Sequence, residues 1–242
     1  MTQLLVSVKN SEEAMLVLAA GVDIIDLKDP SMGALGALNL GITTEIVRLV
    51  NGQMLVSATV GEHHASLEVL VADIKQRAEA GVDIIKIAVS DLFQATDFYD
   101  EISIFTKLNV KIVAVFFADE EINLNLLPAL KNAGFYGAML DTRNKYYDLL
   151  QVRPQDNLRL FTQRCQNDQL KSGLAGSLQP QYIDLLMKVN PTYIGFRGGL
   201  CENSCRESAL NLAKVNEVVN MLRNGNKNRL KAQLILGLAL HS

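Results

Sequence analysis

Four segments of this chain repeat one pattern, and that pattern constrains the fold more than any other feature. They are Ala20-Gly21-Val22-Asp23-Ile24-Ile25-Asp26-Leu27-Lys28, Ala80-Gly81-Val82-Asp83-Ile84-Ile85-Lys86-Ile87-Ala88, Ala133-Gly134-Phe135-Tyr136-Gly137-Ala138-Met139-Leu140-Asp141 and Val189-Asn190-Pro191-Thr192-Tyr193-Ile194-Gly195-Phe196-Arg197. Each follows an amphipathic helical stretch, opens on a helix-stopping residue and enters an apolar strand. Four further strands are expected between them, at Leu4–Val8, Met54–Val60, Lys111–Phe117 and Lys171–Ala175. The clearest helices are Ser11–Ala20, Ser66–Ala80, Leu124–Ala133, Gln179–Lys188 and Arg206–Arg223. Eight βα units with near-continuous apolar strands predict a parallel sheet covered by helices. A repeat of two units suits a closed α/β architecture, the single-domain (β/α)8 TIM barrel, better than an open doubly wound sheet. No Gly-x-Gly-x-x-Gly opens the first βα turn, which also argues against a dinucleotide fold.

A length of 242 residues, 49% hydrophobic and 20% charged, suits one barrel over residues 1–224. The tail, 225–242, reads as a capping helix or an oligomer contact, so a homo-oligomer is an open expectation. With 23 basic and 26 acidic residues the net charge is -3, which gives no basic excess for a nucleic-acid partner. A pocket inside such a protein can still be positive. Cys165, Cys201 and Cys205 are too few for a disulfide framework. No histidine lies near the Cys201 and Cys205 pair, so no metal is expected. There is no signal-type start and no apolar run of membrane length, the longest being Leu234–Leu240. The expectation is a cytoplasmic protein with no membrane partner.

Barrel interiors are filled in layers contributed by alternate strands. Aligned on their leading residue, the four repeats place Asp26, Lys86, Met139 and Gly195 in one row, and Lys28, Ala88, Asp141 and Arg197 two residues further on. Alternation makes both rows point the same way. Inward, they bring two lysines, two aspartates and an arginine to the C-terminal mouth, where barrel enzymes place chemistry. Outward, they are polar groups under helices, which is costly, and the alternating Ile25, Leu27, Ile85 and Ile87 are the apolar set. A dry site with a neighbouring cation favours a neutral amine able to attack a carbonyl, and Lys28 and Lys86 are so placed. Asp26 and Asp141 can balance charge and move protons; structural salt bridges are the alternative.

Gly176-Ser177 after strand seven and Arg197-Gly198-Gly199 after strand eight occupy the usual phosphate position of such barrels. Glycine lets backbone N–H groups close around an anion. Gly33-Ala34-Leu35-Gly36 reads equally as an anion loop or an ordinary turn. His63 and His64 read as an exposed loop pair, and His241 as incidental. Ser7, Ser57 and Thr59 serve either a ligand or the strand ends.

Taken in register, Asp26-Leu27-Lys28-Asp29-Pro30 with Gly33-Ala34-Leu35-Gly36, Ser57-Ala58-Thr59-Val60-Gly61, Ala138-Met139-Leu140-Asp141-Thr142, Leu174-Ala175-Gly176-Ser177 and Arg197-Gly198 resemble the (5-formylfuran-3-yl)methyl phosphate synthase family of methanofuran biosynthesis. The resemblance runs from about Leu4 to Arg223. It departs at Val89–Asn109, at Arg143-Asn144 and after Cys201. It implies a Schiff-base (β/α)8 lyase, free of cofactors, that joins two glyceraldehyde 3-phosphate molecules into a furan phosphate, with loss of phosphate and water. It implies Lys28 as the imine-forming residue, Lys86 as proton acceptor beside Asp26, and Asp141 with Lys145 as further acid–base groups; Lys145 comes from the resemblance alone. Arg197, Gly176, Ser177, Gly198 and Gly199 are then the candidate phosphate ligands. Two other readings stay open: another Schiff-base class I aldolase acting on a sugar phosphate, and a non-catalytic sugar-phosphate-binding barrel.

Overall fold

Short polar caps set the alternation of strand and helix in the computed structural model, which describes residues 1–239. β1 (Gln3–Val8) is followed by Asn10, whose side chain accepts the Glu13 N–H and starts α1 (Ser11–Ala20). Gly21 stops that helix and the chain turns into β2 (Ile24–Leu27). Asn39 caps α2 (Leu40–Val50), which leads to β3 (Leu55–Thr59). Ser66 caps α3 (Leu67–Glu79), and β4 (Ile84–Ala88) follows. Then come α4 (Phe98–Lys107), β5 (Lys111–Phe117), α5 (Leu127–Asn132) and β6 (Gly137–Asp141). A capping box between Asp148 and Gln151 closes the short α6 (Leu149–Val152) ahead of α7 (Gln155–Asn167). β7 (Lys171–Leu174), α8 (Ile183–Met187), β8 (Tyr193–Phe196) and α9 (Leu212–Ala239) complete the order.

The strands pair in parallel in chain order, and β8 pairs back onto β1, so the sheet closes as a single (β/α)8 barrel. The repeat has a structural purpose at the N-terminal end. Asp23 accepts the Leu4 N–H and Asp83 the Val56 N–H, each at 2.8 Å. The equivalent Thr192 hydroxyl accepts the Ser172 N–H at 3.1 Å. Each of these repeats therefore fastens its strand to the one before it, which satisfies these three strand-end donors at the barrel floor.

Side chains divide as alternation requires. Leu4, Val6, Ile25, Leu27, Ile85 and Ile87 face the helices in one buried cluster. Ile24, Ile84, Val113, Val115, Met139 and Tyr193 belong to a second cluster inside the barrel. Above this apolar plug lie the polar rows.

Four helices, α2, α4, α6 and α7, lie where the clearest sequence signals did not. The last helix starts at Leu212 rather than Arg206. Residues before it are committed elsewhere: Cys201 bridges Leu210, and Glu202 N–H donates to Ala209 O. Asn211 then accepts the Lys214 N–H and caps the helix. α9 crosses residue 224 without a break. The Asn226 side chain bonds both the N–H and the carbonyl of Thr2, at 2.9 and 2.8 Å. Residues 240–242, including His241, lie outside the described residues. Among the described residues no helix is long and apolar enough to cross a membrane.

A Cβ on Gly173 would lie 2.3 Å from the buried Tyr193 ring. Gly173→Ala is therefore expected to destabilise the protein by about 1–3 kcal/mol, the scale of core overpacking, read as a lower Tm in a thermal melt. An unchanged Tm would contradict this packing.

Candidate active site

Strand register builds the deepest part of the site. Ser7 pairs with Asp26 and Asp26 with Ser57, so three neighbouring strands bring these side chains to one level. Ser7 donates to Asp26 Oδ2 and Ser57 to Asp26 Oδ1, both at 2.7 Å. Lys86 on β4 places its Nζ 2.6 Å from the same Oδ1. Lys86 is 2% exposed and Asp26 1%, so neither charge has water to lean on. Burial lowers the Lys86 pKa; Asp26 opposes this and the Lys28 charge adds to it. The two serines that the sequence left undecided are thus the fixed donors that orient Asp26, while Thr59 donates to Gly36 O.

A second constellation spans the mouth from β2 to β6. Lys28 Nζ lies 3.1 Å from Asp141 Oδ2, and Lys145 Nζ lies 2.6 Å from Oδ1. The Thr142 N–H donates to Oδ1 at 2.8 Å. Burial alone would raise the Asp141 carboxyl, but Lys145 and Lys28 hold it well below the usual carboxylate range. Burial brings Lys145 down to about 8, although Asp141 pulls it upward. Asp26, Lys28, Lys86, Asp141 and Lys145 all line one cavity of about 330 Å³. The inward reading of the two rows holds for Asp26, Lys28, Lys86 and Asp141; Lys145 was in neither row.

Glycines of two loops, Gly176, Gly198 and Gly199, also line this cavity. Gly176 has φ 114°, which L side chains rarely adopt, and a Cβ there would sit 2.9 Å from Thr142. A Cβ on Gly199 would sit 2.2 Å from Leu178 O. Among the described residues, no protein acceptor takes the N–H groups of Gly176, Ser177, Gly198 or Gly199. The Ser177 hydroxyl donates to Lys145 O at 3.1 Å, which couples this loop to the one after β6.

Arg197 requires a correction. It lines the cavity, yet its guanidinium is fully engaged by protein. Nε donates to Arg206 O at 2.8 Å, Nη1 to Ser7 O and Glu13, and Nη2 to Glu13 and Ser208 O. No donor is left for a phosphate. Among the described residues that line the cavity, the arginine with free donors is Arg206, on the loop after β8, which the sequence reading had placed in a helix.

Other loops also take definite roles. Ala34 and Leu35 are buried with the barrel interior, and the Leu35 N–H donates to Glu62 at 2.8 Å, so the Gly33–Gly36 loop plugs the mouth rather than holding an anion. Arg143 caps the same side, 2.8 Å from Glu62 and 3.8 Å above the Phe117 ring. His63 is exposed; His64 is not, because its Nε2 contacts Asp73 at 3.3 Å and Val60 O at 3.1 Å.

Comparison with known proteins places the chain in a family. The family model described as 4-HFC-P synthase matches residues 4–219. A Methanosarcina acetivorans protein named (5-formylfuran-3-yl)methyl phosphate synthase is 32% identical over 234 residues, covering 90% of this chain and 97% of its own. A Methylorubrum extorquens protein provisionally given the same name is 39% identical over 224 residues, 92% of each chain. Among solved structures, the 3-hexulose-6-phosphate synthase of Salmonella typhimurium superposes with a TM-score of 0.65 at 14% identity, covering 93% of this chain and 100% of that one. The phosphoribosyl anthranilate isomerase of Thermus thermophilus gives 0.64 at 11% identity, covering 92% and 99%. These two likenesses speak for the fold alone.

The Lys145 environment predicts a chemical signature. Acetylation of Lys145, followed by peptide mass spectrometry, should rise with a midpoint near pH 8, against about 10.4 for an ordinary lysine. Asp141→Asn removes the group that raises this pKa, so the midpoint should fall. A Lys145 that reacts like an ordinary lysine would contradict the arrangement.

Proposed function

The chain belongs to the 4-HFC-P synthase family, and on that premise we propose that it condenses two molecules of glyceraldehyde 3-phosphate into (5-formylfuran-3-yl)methyl phosphate through an imine on Lys28. The observation that carries this reading is the pairing of two lysine–aspartate sets in one cavity, one at its floor and one across its mouth. Anion binding alone has no need of a buried acid–base set.

In this mechanism the Lys28 amine attacks the carbonyl of the first triose phosphate. Asp141, in contact with both Lys28 and Lys145, moves the proton that lets water depart. The iminium withdraws electrons and acidifies the neighbouring C–H. Lys86, with Asp26 to take up its proton, removes that hydrogen and leaves an enamine, whose carbon attacks the second aldehyde. Ring closure and elimination follow, with Lys145 and Asp141 as acid and base. Two triose phosphates become one furan phosphate, one inorganic phosphate and two waters, so the balance contains no net oxidation and the steps call on no cofactor. The N–H groups of Gly176, Ser177, Gly198 and Gly199 hold the phosphate and fix orientation, which lowers the entropic barrier. The activity is that of a lyase in the cytoplasm, where phosphorylated trioses are available.

Lys28→Arg keeps the charge and removes the nucleophile. Furan absorbance and phosphate release from glyceraldehyde 3-phosphate should both fall by about a thousandfold or more, the scale on which loss of a nucleophile acts. Turnover retained in this variant would contradict the role of Lys28. Phosphate release without a furan would assign the protein to a different chemistry on the same barrel.

A further inference from the structure

Arg206 lies on the loop after β8. It lines the cavity, and its Cβ lies 3.7 Å from where a Cβ on Gly198 would be, beside the unpaired amides of the Gly198–Gly199 turn. Among the described residues, the only hydrogen bond its guanidinium makes runs from Nη2 to Gly33 O, at 2.7 Å. Among the described residues, Nε and Nη1 have no protein acceptor. Burial lowers its pKa and the Asp141 charge opposes this, so the guanidinium is partly withdrawn from water and within electrostatic reach of the lysine cluster.

The loop that carries Arg206 is held from below. Arg197 donates to the carbonyls of Arg206 and Ser208 while its other donors grip Glu13 and Ser7 O. Lys9 bonds Glu207 O from the β1–α1 turn. The loop is also closed on itself by the Cys201–Leu210 bridge. A buried Arg197–Glu13 pair is a poor stability device in itself. Here its donors terminate on the backbone that positions a second arginine.

We infer that Arg206 is the cation that grips the substrate phosphate held by the Gly176–Ser177 and Gly198–Gly199 amides, and that the Arg197–Glu13 pair is its anchor. The inference rests on the reading that this cavity takes a triose phosphate. It makes Arg206 a binding and specificity residue, since its planar fork suits a phosphate and a neutral aldehyde gains nothing from it. Arg197 and Glu13 are positioning residues.

The test is titration of inorganic phosphate, followed by 31P NMR, alongside steady-state kinetics with glyceraldehyde 3-phosphate. R206Q should weaken phosphate binding and raise KM by about 10- to 100-fold, the loss expected for hydrogen bonds to a charged group, with a far smaller change in kcat. R206K, which keeps the charge but not the fork, should recover part of the phosphate affinity. E13Q should raise KM in the same sense, and E13Q added to R206Q should cost little more than R206Q alone, because both act on one contact. Unchanged phosphate binding and KM in R206Q would overturn the inference. So would a fall in kcat with KM and phosphate binding intact, which is the signature of a merely structural role. Phosphate binding depends on no imine, so a wild type that binds phosphate through Arg206 but yields no furan would sink the proposed reaction and leave this inference standing.

Discussion

The site depends on charge kept out of water. Asp26 and Lys86 meet at 2.6 Å inside the barrel, each almost wholly buried. Such a pair does little for stability, because desolvation cancels most of the attraction. It survives because Ser7 and Ser57 satisfy the carboxylate from both sides, and those serines are in place because strand register puts them there. Lys28, Lys145 and Asp141 form a second set nearer the mouth. Three lysines against two aspartates leave the interior positive before Arg206 is counted. That excess favours an anionic ligand and works with burial to lower the pKa of Lys86 and Lys145.

The same barrel restricts where that substrate can lie. Ala34 and Leu35 fill the mouth above the β3–β5 side, and Glu62 fastens both this plug and Arg143. The open volume is confined to the side walled by the loops after β6, β7 and β8. Lysines and backbone amides both line this volume.

The fold and the inner constellation were legible because both follow from period. A strand exposes alternate residues, so aligning four repeats was enough to place Asp26, Lys28, Lys86 and Asp141 on one interior. Lys145 was not legible in that way; it sits four residues past Asp141 on a loop, and only the family resemblance pointed to it. Arg197 was put on the correct face but given the wrong partner. Glu13 is 184 positions away in sequence, and no local pattern reports a contact of that span. Arg206 was missed for a related reason. Its segment has an amphipathic look, yet its backbone pairs across a hairpin-like bridge before the helix begins at Leu212. His64 was read as exposed because its partner, Asp73, lies on the next helix.

The central claim is that the amine of Lys28, among three lysines within one cavity, forms the covalent intermediate. It is tested most directly by mixing the protein with glyceraldehyde 3-phosphate, reducing with borohydride and mapping the adduct by peptide mass spectrometry, with an unreduced aliquot scanned for furan. The account predicts a single adduct on Lys28 and a furan in the unreduced sample. An adduct on Lys86 or Lys145, or a furan formed with no adduct on any lysine, would contradict it.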